Sequence, residues 1–224
     1  VFEDAADALV IGAAVPLSEV EARIGREPPL LAALFPLFSS RLIRNRATLG
    51  GNLATASPIG DSPPVLLALG AEVVAVSARG ERTIALDAFF TGYRATALDP
   101  DELIARVRIP KPYPSVGRFY KVSKRVHDDI STVAAGFAID LDEAGTVRAA
   151  RLAYGGVAAT PVRATEAERA LVGKPFGARA IEDAKEKARG AFTPMTDQRG
   201  SAAYRAAMVT SLLDKLWADV GASR

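Results

Sequence analysis

The sequence from residue 44 to residue 61 reads Arg44-Asn45-Arg46-Ala47-Thr48-Leu49-Gly50-Gly51-Asn52-Leu53-Ala54-Thr55-Ala56-Ser57-Pro58-Ile59-Gly60-Asp61. Glycine adopts positive φ readily and has no Cβ, so paired glycines allow a ligand to approach the backbone closely. The small polar side chains between them offer neutral hydrogen-bonding groups to a bound polyanion or planar ring. The stretch therefore predicts a ligand-binding loop, and a tight turn between two elements is the alternative.

The composition indicates a globular protein with one large domain or two small ones. The chain has 224 residues, of which 49% are hydrophobic, and its 28 basic residues nearly balance its 26 acidic ones. This balance argues against nucleic acid as a partner. No apolar run approaches the roughly 20 residues that span a bilayer, and the first residues lack a signal-peptide pattern. We therefore expect no membrane association and a cytoplasmic location.

Two residue types restrict the chemistry. Cysteine is absent and His127 is the only histidine. The chain therefore has no thiolate nucleophile and no cysteine ligands for zinc or an iron–sulfur cluster, so such a cluster must lie on another chain or segment. A two-histidine metal site is excluded, and a serine–histidine hydrolase is disfavoured because no nucleophile-elbow motif is present. No metal site is predicted.

Helical and strand patterns precede the loop. We expect a strand over residues 8–15, a helix with a capping box from Ser18 to Glu21, and an almost wholly apolar helix from Leu30 to about Phe38. These elements bring the chain to the start of the loop.

After the loop, Ser62 has the context of an N-cap residue, and Gly70 ends the short helix that follows. Residues 72–76 and 82–86 alternate in polarity around a turn, which predicts a hairpin, and residues 103–109 predict a further strand. The first part of the chain is thus expected to form a sheet with flanking helices.

A proline-rich linker at residues 111–115 separates this part from the rest, because alternating prolines impose an extended, non-pairing backbone. We place a domain boundary there, which gives one domain over residues 1–114 and a second over 115–224. In the second, strands are predicted at 119–123, 133–141 and 147–154, and helices at 165–172, 178–188 and 201–220.

The loop resembles the flavin-binding signature of the molybdenum hydroxylases, in the form found in xanthine dehydrogenases. The resemblance rests on Arg44-Asn45, on Ala47-Thr48-Leu49-Gly50-Gly51-Asn52 and on Ala56-Ser57-Pro58-Ile59-Gly60-Asp61-Ser62-Pro63-Pro64. It continues through Phe89-Phe90-Thr91-Gly92-Tyr93, Tyr120-Lys121-Val122-Ser123-Lys124-Arg125, Asp128-Asp129-Ile130-Ser131, Tyr154-Gly155-Gly156-Val157-Ala158-Ala159-Thr160-Pro161 and Asp197-Gln198-Arg199-Gly200-Ser201-Ala202-Ala203-Tyr204-Arg205. It covers essentially the whole chain.

The resemblance implies an α+β fold in two parts. Residues 1–114 would form the second subdomain of a two-part FAD-binding domain, with a mixed or antiparallel sheet and flanking helices. Residues 115–224 would form a smaller C-terminal α+β domain, in which helices cover an antiparallel sheet. The family has a further FAD subdomain before this point, and nothing precedes Val1. We therefore expect a fragment that alone binds FAD weakly or not at all.

The resemblance also implies a set of cofactor-binding residues. Thr48 would hydrogen-bond the FAD diphosphate, and Asp61 would reach the adenosine side. The backbone of Leu49, Gly50, Gly51 and Asn52 would support these contacts. The hydroxyl of Ser57 would support them as well. From the residues alone, Thr48 and Asp61 are also consistent with simple capping of local structure.

The remaining implied contacts come from outside the loop. Phe38 would pack against the adenine, Ile104 would lie near the isoalloxazine, and Lys121 would hydrogen-bond the polar edge of the flavin. Asp128 and Asp129 would lie in a loop where NAD approaches the ring. A charge at a strand edge is the alternative for Lys121, and a solvated loop paired with Lys124 and Arg125 is the alternative for the two aspartates.

The implied function is electron transfer. A molybdopterin-binding partner would hydroxylate a purine, [2Fe-2S] clusters on partner chains or domains would pass the electrons to FAD, and FAD would pass a hydride to NAD. The chain itself would contribute no catalytic acid, base or nucleophile and would act in a hetero-oligomer. Alternatives are the flavoprotein of another molybdenum hydroxylase, such as a carbon monoxide dehydrogenase, and a non-catalytic interaction subunit. A P-loop enzyme is disfavoured, because no Gly-Lys-Ser/Thr follows the glycines.

Overall fold

A computed structural model describes residues 1–221 of the chain. The residues 222–224, which end the predicted second domain, lie outside the described part. The helices are α1 (Leu17–Ile24), α2 (Pro29–Ala32), α3 (Arg41–Arg44), α4 (Leu49–Ala54), α5 (Ser62–Ala68), α6 (Leu86–Phe89), α7 (Thr165–Leu171), α8 (Ala178–Ala188) and α9 (Ala202–Gly221). The strands are β1 (Phe2–Asp4), β2 (Ala8–Gly12), β3 (Glu72–Ser77), β4 (Gly80–Ala85), β5 (Phe90–Gly92), β6 (Ala95–Thr96), β7 (Leu103–Pro110), β8 (Val116–Val122), β9 (Val133–Leu141), β10 (Val147–Gly155) and β11 (Val162–Arg163).

The first sheet has five strands in the order β1-β2-β7-β3-β4, and all of its pairs are antiparallel. The predicted hairpin is confirmed, since Val74 of β3 pairs with Thr83 of β4. Helices α1, α2, α4 and α5 contribute to the apolar core that covers this sheet.

The second sheet has four antiparallel strands in the order β11-β10-β9-β8. Its central strand β9 is buried from Val133 to Ile139, as expected for a strand with both faces covered. Helices α7, α8 and α9 cover one face, and α2 and α5 contact the other. The predicted α+β fold with two antiparallel sheets and flanking helices is confirmed.

Helix α5 lies in the contact between the two sheets, and all seven of its residues are buried. A side chain at Gly136 in β9 would overlap the carbonyl oxygen of Pro64 in α5. Glycine at this position therefore lets the helix backbone rest directly on the second sheet. This contact positions the start of α5, and with it Asp61, against β8 and β9.

The stretch from 44 to 61 differs from the prediction, because its centre is a helix rather than a loop. Leu49–Ala54 form α4, and neither Gly50 nor Gly51 has positive φ. The reason for a glycine is close packing: a Cβ on Gly50 would lie 2.5 Å from the Cβ of Ala13. The small residues bring two backbones together.

Four local predictions are also wrong. The strand predicted to residue 15 ends at Gly12. The capping box is absent, because the bridge between Pro16 and Thr48 starts α1 at Leu17 and leaves Ser18 inside the helix.

The helix predicted from Leu30 to Phe38 is interrupted. It consists of α2 and a separate 3₁₀ turn, Phe35–Leu37, and Pro36 has no N–H with which to continue the α-helix. Ser62 is the first residue of α5 rather than its cap, and Asp61 occupies the cap position without a side-chain bond to the helix.

Candidate functional site

Thr48 is the N-cap of α4. Its backbone is extended, and its Oγ1 accepts a hydrogen bond from the N–H of Gly51 at 3.0 Å. The hydroxyl hydrogen has no acceptor within residues 1–221, so Thr48 keeps a donor for a ligand. The N–H of Gly50 donates to Ala13 O and that of Asn52 to Thr48 O, so these backbone donors are used within the protein.

Helix α4 lies beside the first sheet at β7. Ala13, which contacts Gly50, donates its N–H to the carbonyl of Ala105 at 2.9 Å. Ile104 precedes Ala105 on β7, is partly buried and packs against the first core. Ile104 is thus next in sequence to the residue that bonds Ala13, the neighbour of Gly50.

Asn52 connects α4 with α5. Its Oδ1 accepts from the hydroxyl of Ser62 at 2.5 Å and from the Ser62 N–H at 3.4 Å. Because the amide oxygen is fixed by these two donors, the amide NH₂ must point the other way, and it has no acceptor in the described part of the chain. Asn52 therefore presents a second neutral donor next to that of Thr48.

Asp61 and Lys121 form a buried ion pair. The Lys121 Nζ lies 2.6 Å from Asp61 Oδ2, and the two side chains are 2% and 12% exposed. The ammonium also donates to the carbonyl of Leu37 at 3.0 Å, and the hydroxyl of Ser131 donates to the other carboxylate oxygen of Asp61 at 2.5 Å. Asp61, predicted for the adenosine side, and Lys121, predicted for the flavin edge, thus belong to one network.

The charge of Asp61 depends on this network. Burial raises the pKa of the Asp61 carboxyl above its ordinary value, while the Lys121 ammonium and the Ser131 hydroxyl act in the opposite direction. A carboxylate at this depth is stabilised by the two groups that contact it.

Two further predicted residues flank this network. Phe38 is 8% exposed and lies in the first core, directly after the carbonyl that Lys121 contacts. Ser57 accepts a long hydrogen bond of 3.4 Å from the N–H of Ile59 in the turn before Asp61. Phe38 can therefore offer a ligand only a small part of its surface.

The loop between β8 and β9 contains Asp128 and Asp129. Asp128 has φ of +53° and accepts from the hydroxyl of Ser39, which itself has φ of +48°. Asp129 accepts from the N–H groups of Arg125 and Ile130, and these bonds hold the pKa of its carboxyl below the usual range. Of the alternative pairing with Lys124 and Arg125, the Arg125 part is present, since its guanidinium lies 3.9 Å from the Asp129 carboxylate. The Lys124 ammonium donates to Gln198 O instead.

Sequence reasoning did not single out two residues that support the site. Ser131 gave no signal other than its place in a motif. Arg205 is only 1% exposed and donates to the carbonyls of Thr132 and Gly156 and to the carboxylate of Asp197. Arg205 lies four residues before the buried Val209 on α9, but its charge gave no sign that it would be buried.

The second glycine pair contacts the first site stretch. The N–H of Gly156 donates to the carbonyl of Pro58 at 2.7 Å. Gly156 has φ of +82°, and a Cβ there would overlap Thr132 O. The backbone that follows β10 therefore holds the turn before Asp61.

Two surface grooves lie away from these residues. One, of about 480 Å³, lies between residues 158–167 and 187–193, and the other, of about 470 Å³, between residues 110–114 and β10. No predicted site residue lines either groove. Thr48, Asn52 and the Asp61–Lys121 pair gather instead around α4 and the start of α5.

Comparisons with known proteins identify the family of the chain. Residues 1–112 match the model described as the FAD binding domain in molybdopterin dehydrogenase, and residues 118–220 match the CO dehydrogenase flavoprotein C-terminal domain. The chain belongs to the FAD-binding flavoproteins of the molybdenum hydroxylase family. The resemblance noted from the sequence is thereby confirmed at the level of the family.

Individual relatives agree with this membership. A carbon monoxide dehydrogenase medium chain of Hydrogenophaga pseudoflava is 34% identical over 204 residues, which cover 89% of this chain and 69% of that protein. A nicotinate hydroxylase of Emericella nidulans is 38% identical over 93% of this chain but only 17% of its own length. The chain thus spans about one sixth of that larger relative.

Solved structures show the same fold. A structure of carbon monoxide dehydrogenase from Hydrogenophaga pseudoflava superposes with a TM-score of 0.90 at 30% identity, covering 96% of this chain and 75% of that chain. For quinoline 2-oxidoreductase from Pseudomonas putida 86 the TM-score is 0.87 at 28% identity, with the same coverages of 96% and 75%.

The residues present fit the cofactor of this flavoprotein family. FAD has an anionic diphosphate and polar ring edges, and the surface offers hydrogen-bond donors from the Thr48 hydroxyl and the Asn52 amide. The Lys121 ammonium has three N–H donors, of which Leu37 O and Asp61 use two. Gly51, which is exposed beside Thr48, adds no side chain there. The described part of the chain also contains no helix long and apolar enough to cross a membrane.

Proposed function

We propose that this chain is the FAD-carrying electron-transfer part of a molybdenum hydroxylase. It would receive electrons from [2Fe-2S] clusters on partner chains or domains and deliver a hydride to NAD. The observation that supports this most directly is the joint placement of the Thr48 cap and the Asp61–Lys121 pair around the α4–α5 junction. FAD, when bound, supplies the exchange between one-electron and two-electron chemistry.

The chain's own residues would bind and orient. The Thr48 hydroxyl and the Asn52 amide would donate to the diphosphate, and Gly51 between them would leave the backbone free of side-chain bulk. The Lys121 ammonium would donate its third N–H to a polar edge of the cofactor. Asp61 would accept from a hydroxyl on the adenosine side.

The substrate and electron acceptor are finer proposals. We propose a xanthine dehydrogenase-type enzyme of purine catabolism that uses NAD, since Ser57-Pro58-Ile59-Gly60-Asp61 resembles the xanthine branch. Flavoproteins of enzymes with other names, among them carbon monoxide dehydrogenase and nicotinate dehydrogenase, share the fold or sequence. The contacts that choose the substrate would lie on the molybdopterin-binding partner.

The assembly would be a cytoplasmic hetero-oligomer with a molybdopterin-binding subunit and an iron–sulfur domain. Within this chain we propose the division into residues 1–114 and 115–224, with the linker from Lys111 to Ser115 between them. The two apolar cores support the division, although Phe119 of the second sheet belongs to the first core. The two domains would therefore move as one unit.

A spectrum of the complete flavoprotein that contains this chain tests the proposal. We expect flavin absorption at one FAD per chain, bleaching of the flavin by anaerobic NADH, and co-purification with molybdenum and iron. Flavin that NADH does not reduce would remove the NAD proposal and leave the family assignment intact. A colourless protein that still binds the partners would favour the non-catalytic interaction subunit.

A further inference from the structure

Ser131 lies in the loop between β8 and β9, two residues after Asp129, and is 1% exposed. Its hydroxyl donates to Asp61 Oδ1 at 2.5 Å, across 70 residues of sequence. A buried hydroxyl without a hydrogen bond costs free energy. The Ser131 hydroxyl makes its hydrogen bond to a carboxylate rather than to a nearby backbone carbonyl. The contact therefore couples the start of β9 to the turn before α5.

The hydroxyl determines how the carboxylate is oriented. Lys121 bonds only Oδ2, and Ser131 bonds only Oδ1. The last torsion of an aspartate is broad, so with the Ser131 bond removed both oxygens could turn toward the ammonium. Such a rotation would change where the free lone pairs of Asp61 and the remaining N–H of Lys121 point.

We propose that Ser131 is a positioning residue of the cofactor site, which holds the Asp61 carboxylate, and through it the Lys121 ammonium, in the orientation that binds FAD. This inference rests on the proposed function, because it assumes that the surface around Asp61 binds the cofactor. Ser131 does not touch the cofactor itself. Its effect passes entirely through Asp61.

This indirect action distinguishes Ser131 from a residue that only supports packing. Replacing Ser131 by alanine in the wild-type background removes the bond to Asp61. In an Asp61→Ala background that bond is already absent, so the second replacement has nothing further to remove. A packing role would produce the same loss in both backgrounds.

The neighbouring Thr132 provides a matched control. It is also buried, at 2% exposed, and its hydroxyl is also hydrogen-bonded, at 3.2 Å to Arg199 O. Thr132→Val removes that hydroxyl at almost constant volume without touching Asp61. Any effect of losing a buried hydroxyl in this segment appears in both variants, whereas the effect on Asp61 appears only in Ser131→Ala.

The experiment measures FAD dissociation from the complete flavoprotein for wild type, Ser131→Ala, Asp61→Ala, the double variant and Thr132→Val. We expect Ser131→Ala to weaken FAD binding roughly 10-fold in the wild-type background, since the lost bond is to a charged group. The double variant should match Asp61→Ala, and Thr132→Val should stay within about 2-fold of wild type.

Three outcomes are decisive. The inference is overturned if Ser131→Ala leaves FAD affinity unchanged, or if it weakens FAD binding equally in both backgrounds. In either case a wild type that contains flavin leaves the proposed function standing. A wild type that holds no FAD overturns the proposed function itself. If Ser131→Ala does not fold, Ser131→Cys replaces it, because a thiol of similar size is a weaker donor and should give intermediate affinity; wild-type affinity in Ser131→Cys would contradict the inference.

Discussion

The Lys121 ammonium lies 2.6 Å from the Asp61 carboxylate, and only 2% of the Lys121 side chain is exposed. The pair joins β8 of the second sheet to the residue that precedes α5, so it connects the two halves of the chain. Two charges taken out of water are stabilised only if further hydrogen bonds support them, and here Leu37 O and the Ser131 hydroxyl each add one, which leaves one N–H of Lys121 for a ligand. The pair is therefore both a structural connection and the charged part of the candidate cofactor site.

Asp61→Ala should weaken FAD binding by about 1–3 kcal/mol, because a hydrogen bond to a charged group is lost. The measurement is FAD titration of the complete flavoprotein, followed by flavin fluorescence. Asp183→Ala is the control, since Asp183 also pairs with a lysine but on the exposed surface of α8. Equal affinity in wild type and Asp61→Ala would remove Asp61 from the cofactor site.

Lys121→Met should lower the free energy of unfolding by about 3 kcal/mol, because removing one partner leaves a buried carboxylate uncompensated. Denaturant unfolding without FAD measures this cost separately from cofactor binding. The control is Lys174→Met: this lysine is 45% exposed and 2.7 Å from Asp183, so its loss should cost less than about 1 kcal/mol. Equal costs at the two positions would contradict the burial argument.

Gly50→Ala should destabilise the protein by about 1–3 kcal/mol through overpacking, since the new Cβ would lie 2.5 Å from that of Ala13. FAD affinity should fall with it, because the α4 backbone must move away from Ala13. Gly177→Ala is the control: its φ is −161°, and a Cβ there would come no closer than 3.9 Å to its nearest neighbour. Thermal unfolding and FAD titration of both variants compare them, and matching losses would argue against the close-packing role.

Most elements of the fold were predictable because each has a local pattern. The residues 133–141 and 178–188 were predicted with the same bounds that β9 and α8 have. The structure of residues 44–61 was not predicted correctly, since small residues occur both in loops and in tightly packed helices. What decides is Ala13, which lies 37 residues before Gly50 and fills the space that a side chain would need.

The candidate site was predictable only as far as its motifs reach. Resemblance placed Asp61 and Lys121 in it, but nothing in the order of residues indicates that the two contact each other, because their meeting depends on α5 resting against Gly136. On α9 the apolar Tyr204 is 44% exposed, whereas the buried face begins at Arg205. A charged residue on a buried face has no apolar signal.

Glu102 predicts a pH dependence of stability. Its carboxylate accepts two hydrogen bonds from the Arg82 guanidinium and one from Asp99 N–H, which lower the pKa of Glu102 from 4.5 to about 2. A depressed folded-state pKa gives stability that is present above about pH 4.5 and is lost as the pH falls toward 2.

Glu102→Gln should therefore have a lower Tm than wild type at pH 5, and the difference should shrink between pH 4.5 and 2. Thermal unfolding monitored by circular dichroism across this range measures it. Arg82→Met removes the cation that lowers the pKa of Glu102. The Tm difference between Arg82→Met and wild type should therefore also shrink between pH 4.5 and 2. A constant Tm difference down to pH 2 would contradict the assignment of the low pKa to this pair.

Variants of Arg205 test whether stability depends on the planar shape of its guanidinium. One of its nitrogens donates to the carbonyls of Thr132 and Gly156 and another to Asp197 at 2.7 Å. Arg205→Ala should lower the free energy of unfolding by about 3–5 kcal/mol, because Asp197 and two buried carbonyls lose their donor. Arg205→Lys should recover only part of this, since an ammonium cannot reach divergent acceptors as a planar fork does.

Denaturant unfolding of both Arg205 variants measures the difference, and Arg169→Ala is the control because that arginine is 74% exposed in its pair with Glu166. FAD affinity should also fall in Arg205→Ala, since Gly156 holds the carbonyl of Pro58 in the turn before Asp61. Full recovery by Arg205→Lys would mean that charge alone is required at this position. If the planar guanidinium is what connects α9 to the site, Arg205→Lys should recover only part of the lost stability and should still bind FAD weakly.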